Sequence, residues 1–179
     1  VFVTHCYFVF AAMKKYRGRL SYLPVEKKTE LTTNGEVDNV PNDNSCQSIK
    51  NKSSLKGLSI PNLNDPVSKE WKVVDDSFTM ISCSLQTSLA HDCIMAPESK
   101  YDDGYIWLCY IKNNVSRLQM AQFLLSLKDG SHRKLPFVNI IPVYAVRIEP
   151  LGGRMTVDGE LVELGPIQVS ILSSVARIM

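Results

Sequence analysis

The chain has 179 residues, with Lys+Arg 20 against Asp+Glu 18 and a formal net charge of +2. That length sets one domain, or one domain plus a linker. Hydrophobic residues at 45% are ample for a core, and so small a net charge gives no case for a nucleic-acid partner.

The apolar run over residues 1–13 starts on Val1, has no basic segment before it and no cleavage site after it, and so does not read as a signal peptide. It is also shorter than the roughly 20 apolar residues that span a bilayer as a helix. It ends in Lys14-Lys-Tyr-Arg-Gly18, and lysines followed by glycine mark a helix C-terminus. The expectation is an N-terminal helix, apolar on nearly every face, that wants burial all round or lipid on one side. Its partners would lie upstream, which makes the chain read as a fragment.

Residues 25–65 are rich in Lys, Thr, Asn, Ser and Asp and hold no aromatic residue. Such a stretch buries too little apolar surface to offset its ordering entropy and is expected to be a disordered insertion. The five cysteines (Cys6, Cys46, Cys83, Cys93, Cys109) form no CxxC pair, which suits reduced thiols in a cytosolic protein and gives no metal ligand set. The sequons at Asn51 and Asn114 would matter only in a secreted chain.

Order is predicted to return at Trp71, with strands over 72–74 and 78–85, the latter alternating Phe78, Met80, Ser82 and Ser84 against Thr79, Ile81, Cys83 and Leu85. The continuous apolar run 105–111 fits a strand buried on both faces. Ser116-Arg-Leu-Gln119 matches a capping box and opens a helix. Leu118, Ala121 and Leu125 form one stripe on it, Met120, Leu124 and Leu127 a neighbouring one, and Asp129-Gly130 ends it. Further strands are expected over 137–141, 143–149, 155–157, 161–162 and 169–175. The fold class is α+β, mostly β: a β-sandwich or mixed sheet with one central helix beside it and one helix at the start. In the last part, Asp158-Gly159-Glu160 reads as an acidic tight turn in which Gly159 takes a positive φ. Taken alone, it is a hairpin turn with two solvated acids.

Several segments resemble the sphingosine kinases, in the same order: Lys15-Tyr-Arg-Gly-Arg-Leu-Ser-Tyr-Leu-Pro24, Asp103-Gly-Tyr-Ile-Trp-Leu-Cys-Tyr-Ile111, Val115-Ser-Arg117, Lys128-Asp-Gly-Ser-His132 and Thr156-Val-Asp-Gly-Glu-Leu161. The likeness covers the chain except roughly residues 25–65. It implies a diacylglycerol-kinase-like lipid kinase, in which an α/β nucleotide-binding lobe precedes a β-sandwich lobe that holds the lipid. This chain resembles most of the second lobe, with residues 1–24 as its first helix and strand and 66–179 as its remainder; the nucleotide-binding lobe is missing.

By that resemblance, Asp158, Gly159 and Glu160 belong to the nucleotide cleft, Asp158 acting through Mg²⁺ or its waters beside ATP. Phe2, Cys6, Phe10, Leu108, Cys109, Met120, Phe123, Leu124 and Leu127 match the wall of an apolar lipid channel, and His132 matches a histidine near its tail end. Any core uses the same residue types, and His132 alone reads as a surface or capping histidine. Thr4, Tyr7 and Phe8 occupy the area of a membrane-contact patch that is also used by calcium-sensor partners, weakened where Thr4 replaces an apolar residue, with Lys14, Lys15, Arg17 and Arg19 just beyond it. The implied substrate is a sphingoid base, phosphorylated on its primary hydroxyl by a cytoplasmic, peripherally membrane-associated enzyme. The family's Ser-Gly-Asp-Gly phosphate loop, which supplies the catalytic base, does not occur in this sequence, so no catalytic residue is assigned and the chain alone is expected to be inactive. A ceramide or diacylglycerol kinase lobe, a non-catalytic lipid or membrane-binding module, and a β-rich scaffold domain are the alternatives.

Overall fold

The computed structural model describes residues 14–25, 60–100 and 103–171. Residues 1–13, and with them the predicted first helix, lie outside these, as do 26–59. The described elements run β1 (Tyr16–Pro24), β2 (Lys72–Ser84), β3 (Ser88–Ala90), β4 (Cys93–Ile94), β5 (Ile106–Lys112), α1 (Arg117–Ser126), a 3₁₀ turn (Ser131–Lys134), β6 (Val138–Pro150), β7 (Met155–Val157), β8 (Glu160–Val162) and β9 (Ile167–Ser170).

Four antiparallel strands close on themselves: β1 pairs β2, β2 pairs β5, β5 pairs β6, and β6 pairs back to β1. The corners are β2 and β6, each 13 residues long. β2 gives Lys72 to Phe78 to β1 and its remaining length to β5. β6 gives Val138 to Val143 to β5 and Val143 to Pro150 to β1, with β9 added beside Ala145 to Ile148. Each long strand thus passes from one layer of a β-sandwich to the other, as the sandwich class expects. The separate strands predicted over 72–74 and 78–85, and over 137–141 and 143–149, are each one bent strand. β2 changes partner at a bulge between Phe78 and Met80, and β6 changes partner at Val143.

Leu20, Tyr22, Phe78, Ile106, Leu108, Tyr110, Val143 and Val146, drawn from all four strands, fill the interior. A second cluster lies outside the β5 layer. There Cys109 and Ile111, with Met80, Val138 and Ile140, meet Met120, Phe123 and Leu127 at and just beyond α1. β5 is buried over Ile106–Ile111 because its two alternating faces serve these two cores. The bulge also separates Phe78 from Met80, which simple alternation puts on one face: Phe78 points inward and Met80 toward α1.

The expected capping box is present. Ser116 Oγ accepts from Gln119 N (3.2 Å), and Gln119 Oε1 accepts from Ser116 N (2.8 Å). After the helix, Gly130 turns the chain at φ 75°, with Pro97 Cβ only 3.1 Å from where a side chain would begin. Of the two predicted stripes, the Leu118–Leu125 one faces outward. The predicted helix end at Gly18 is overturned, since Tyr16–Pro24 is a strand. Gly18 is needed there because a Cβ would stand 3.0 Å from the Glu149 carbonyl oxygen of β6.

The outer face of the other layer is closed by a buried guanidinium. Arg147 donates from Nη1 to the Asp65 carbonyl (2.6 Å), from Nη2 to the Asn62 carbonyl (2.8 Å) and from Nε to Gln168 Oε1 (2.8 Å), and lies 5.8 Å from the Trp71 ring centroid. Gln168 Nε2 in turn donates to the Pro61 carbonyl (2.8 Å). The end of the polar stretch 25–65, read from composition as disordered, is therefore tied to the sheet at residues 61–65. Beside it runs an open groove of about 550 Å³ lined by Arg19, Asp65, Arg147 and Glu149 among others.

Two predictions follow from this packing. Replacing the fork of Arg147 by lysine leaves backbone carbonyls without donors, so Arg147→Lys lowers the free energy of unfolding by about 1–3 kcal/mol in a denaturant titration, and an unchanged midpoint would contradict the tie. Burial pushes the Cys109 thiol up to about 12 and the Cys83 thiol up to about 11, from 9.0. Both are protonated in either state below about pH 8, so their contribution to stability is constant there; above it the unfolded chain releases protons that the folded chain keeps, and stability falls with rising pH. Unfolding free energies measured across the alkaline range check this, and Cys83→Ala/Cys109→Ala makes the slope shallower, leaving the part due to Tyr22, whose phenol burial also pushes up from 10.0.

Candidate functional site

The acidic turn is a two-residue hairpin loop. Val157 of β7 pairs with Glu160 of β8, and Asp158 and Gly159 between them take φ 49° and 88°. Positive φ at both positions is the type I′ geometry that matches strand twist. Gly159 was expected there; Asp158 also adopts the left-handed region, which a short polar side chain tolerates better than most. Nothing lies within 4 Å of a Cβ built on Gly159, so its backbone is open to approach. Asp158 and Glu160 are exposed, and neither carboxylate takes a hydrogen bond or ion pair from a described residue. The turn thus presents two carboxylates to whatever meets this end of the molecule. Among the described residues, no three His, Cys, Asp or Glu side chains gather closely enough to hold a metal ion.

The predicted lipid-wall residues divide. Cys109, Met120, Phe123 and Leu127 come together in the cluster beneath α1, with Leu124 packed against it. Leu108 does not join them: strand alternation sends it to the interior among Leu20, Phe78 and Val146. Phe2, Cys6 and Phe10, and the predicted membrane contacts Thr4, Tyr7 and Phe8, lie outside the described residues.

His132 is fully buried and not the surface or capping residue that its loop position suggests. The 3₁₀ turn after Gly130 carries it under α1, where its ring meets Phe123 edge-on with centroids 5.6 Å apart. Its Nε2 stands 3.1 Å from the Met95 carbonyl oxygen, which can only accept, so Nε2 carries a proton. Among the described residues, Nδ1 has no hydrogen-bond partner. A buried polar atom without a partner stands out in an otherwise apolar cluster.

Sequence reasoning missed Met80, Cys93 and Met95 in this cluster. The bulge at Met80 left no mark in the residue pattern. The short hairpin of β3 and β4 sets Cys93 and Met95, and Ile94 N donates to the Leu127 carbonyl (2.8 Å) to hold that hairpin at the end of α1. One signal was available: methionine and cysteine recur through this part of the chain. Together, Met80, Cys93, Met95, Cys109 and Met120 give the cluster soft, adaptable walls, whereas the interior is built of Leu, Ile, Val and aromatic rings.

The family described as YegS C-terminal NAD kinase beta sandwich-like domain matches residues 76–179. The chain is 30% identical to sphingosine kinase 1 of Rattus norvegicus over 172 residues, which is 93% of this chain and 42% of that protein. It is 30% identical to sphingosine kinase 1 of Homo sapiens over 163 residues, 88% of this chain and 39% of that protein. With sphingosine kinase 2 of Homo sapiens the identity is 31% over 124 residues, 67% of this chain and 19% of that protein. The chain therefore spans less than half the length of these relatives. The matched span holds β5, α1, both halves of the cluster and the acidic turn, so the sandwich of bent strands carries the likeness. This chain belongs to the YegS C-terminal NAD kinase β-sandwich-like domain family, in a branch similar to the sphingosine kinases.

Proposed function

We propose that this chain is the lipid-binding lobe of a sphingosine kinase, and that the cluster beneath α1 receives the alkyl chain of a sphingoid base. The observation that carries this reading is the cluster itself: five of the residues expected from the resemblance, drawn from β5, α1 and the 3₁₀ turn, meet in one apolar site with methionine-rich walls. A long tail needs apolar surface that can rearrange around it more than it needs polar contacts.

In the whole enzyme the primary hydroxyl oxygen of the base attacks the γ-phosphorus of ATP, the bond from that phosphorus to the β–γ bridging oxygen breaks, and the hydroxyl proton passes to a base. The 179 residues contain no Ser-Gly-Asp-Gly sequence to supply that base or a phosphate cradle. ATP and Mg²⁺ are the implied cofactors, and Mg²⁺ prefers oxygen ligands and retained waters. The acidic turn fits a supporting place near the metal, since Asp158 offers free carboxylate oxygens and Gly159 an unobstructed backbone. It fits no role as a complete metal site. Glu160, flanking the turn in β8, supports it from the strand. We place the enzyme in the cytoplasm at the membrane surface, with the segment holding Thr4, Tyr7 and Phe8 contacting lipid or a calcium-sensor protein.

Because Asp158 sits at φ 49°, asparagine is the replacement that tests charge without adding backbone strain. In a kinase carrying this lobe, Asp158→Asn lowers kcat by about tenfold or more, on the scale of losing one charge that acts through the metal on the transferring phosphoryl group. Unchanged kcat would remove the turn from the nucleotide site. Cys109→Trp in the same enzyme shifts preference toward shorter sphingoid bases, and an unaltered chain-length profile would count against a tail site beneath α1. The 179-residue chain by itself transfers no phosphate; lipid phosphorylation by the purified chain would refute the division of labour.

A further inference from the structure

We infer that the outward face of α1, carried by Leu118 and Leu125, docks on anionic bilayers. This rests on the lipid-binding reading above and gives it a surface separate from the first residues of the chain. Leu118 is 81% exposed and Leu125 is 79% exposed, the two most exposed of the large apolar side chains among the described residues. At seven residues apart they share one helix face, with Ala121 between them. The opposite face of the same helix holds the buried Met120 and Phe123. The exposed Gln122 shares that outward face, yet a helix that merely covered a core would not set two leucines beside it in water.

The charges around it select the partner. Within α1 the sole charged side chain is Arg117, and the turn that follows adds Lys128, Arg133 and Lys134 against Asp129, all exposed. Arg133 is already paired with Glu98, which leaves Arg117, Lys128 and Lys134 to meet anions. Apolar side chains bracketed by lysine and arginine are the pattern of an interfacial helix on anionic lipid. Two leucines make too small an apolar area for a stable protein interface, which takes about 800 Å² from each partner. At 10 residues α1 is also too short to span a bilayer, and no described helix is long and apolar enough to do so. With its outer leucines among the lipid tails, the helix would be the single layer, about 10 Å thick, between the bilayer and the cluster that takes the substrate tail.

The test is co-sedimentation of the 179-residue chain with phosphatidylcholine vesicles, with and without phosphatidylserine. Expected is binding to the phosphatidylserine vesicles that weakens with salt, a loss of about tenfold or more in Leu118→Glu/Leu125→Glu, and a loss of the salt-sensitive part in Lys128→Glu/Lys134→Glu. Melting temperature should not change in the leucine variant, because both side chains are already in water. Three results overturn the inference: no binding by the unmodified chain, full binding by the leucine variant with loss instead in Tyr7→Glu/Phe8→Glu, or a clear fall in the leucine variant's melting temperature, which would mean that the chain itself covers the two leucines. Binding of monomeric sphingosine, followed by tryptophan fluorescence, reads the tail site separately: its failure would sink the lipid-site reading, while the vesicle result still decides the surface.

Discussion

The structure depends on β5 being apolar on both faces. A strand that points leucine, tyrosine and isoleucine one way and cysteine, tryptophan and isoleucine the other has to lie between two cores. The ring of β1, β2, β5 and β6 supplies the inner one, and α1 supplies the outer one. Once β5 is fixed there, β2 and β6 must each pass from it to β1, β2 at the bulge beside Phe78 and β6 at Val143. Sheet closure and helix placement are therefore two results of one constraint.

The two cores differ in chemistry in a way that bears on function. The inner core uses branched and aromatic side chains with few conformational options, including the edge-on contact of Phe78 with Tyr110 at 6.1 Å. The outer one is lined by methionines and cysteines and holds a histidine with one nitrogen unpaired among the described residues. Stiff side chains thus fill the inner core and adaptable ones the outer cluster. The Arg147 anchor strengthens the rigid side. It converts the tail of a polar segment into a lid over the first layer, using backbone carbonyls as acceptors in place of a carboxylate.

Much of this was legible in the residues. The capping box of α1, the Asp-Gly hairpin, the two-sided burial of β5 and the mostly β class all follow from short-range rules, because caps, turns and alternation are satisfied within a few residues. The likeness to the sphingosine kinases reached further: Cys109, Met120, Phe123, Leu127 and His132, which it groups, pack together in the structure. It groups Leu108 with them too, but Leu108 sits one residue from Cys109 and so on the opposite face of β5, in the inner core. It could not see that Gly18 serves a strand contact with Glu149, since lysines followed by glycine look the same at a helix end. Arg147 was passed over because a lone arginine in a strand pattern reads as an edge residue until its acceptors, 82 and 85 positions away, are in view.

By itself the sequence determined which elements form and what chemistry each carries: an amphipathic-looking helix with its cap, apolar strands, a carboxylate turn with glycine at its second position. Only the tertiary structure decided which face of each element meets which. That choice turned Met80 away from Phe78, set Leu108 apart from Cys109, buried His132 and left Leu118 and Leu125 in water. The reason is physical. Propensity and capping act over three or four residues, whereas the sidedness of a strand is set by one bulge and by partners far along the chain, and a single inserted residue reverses every side chain after it.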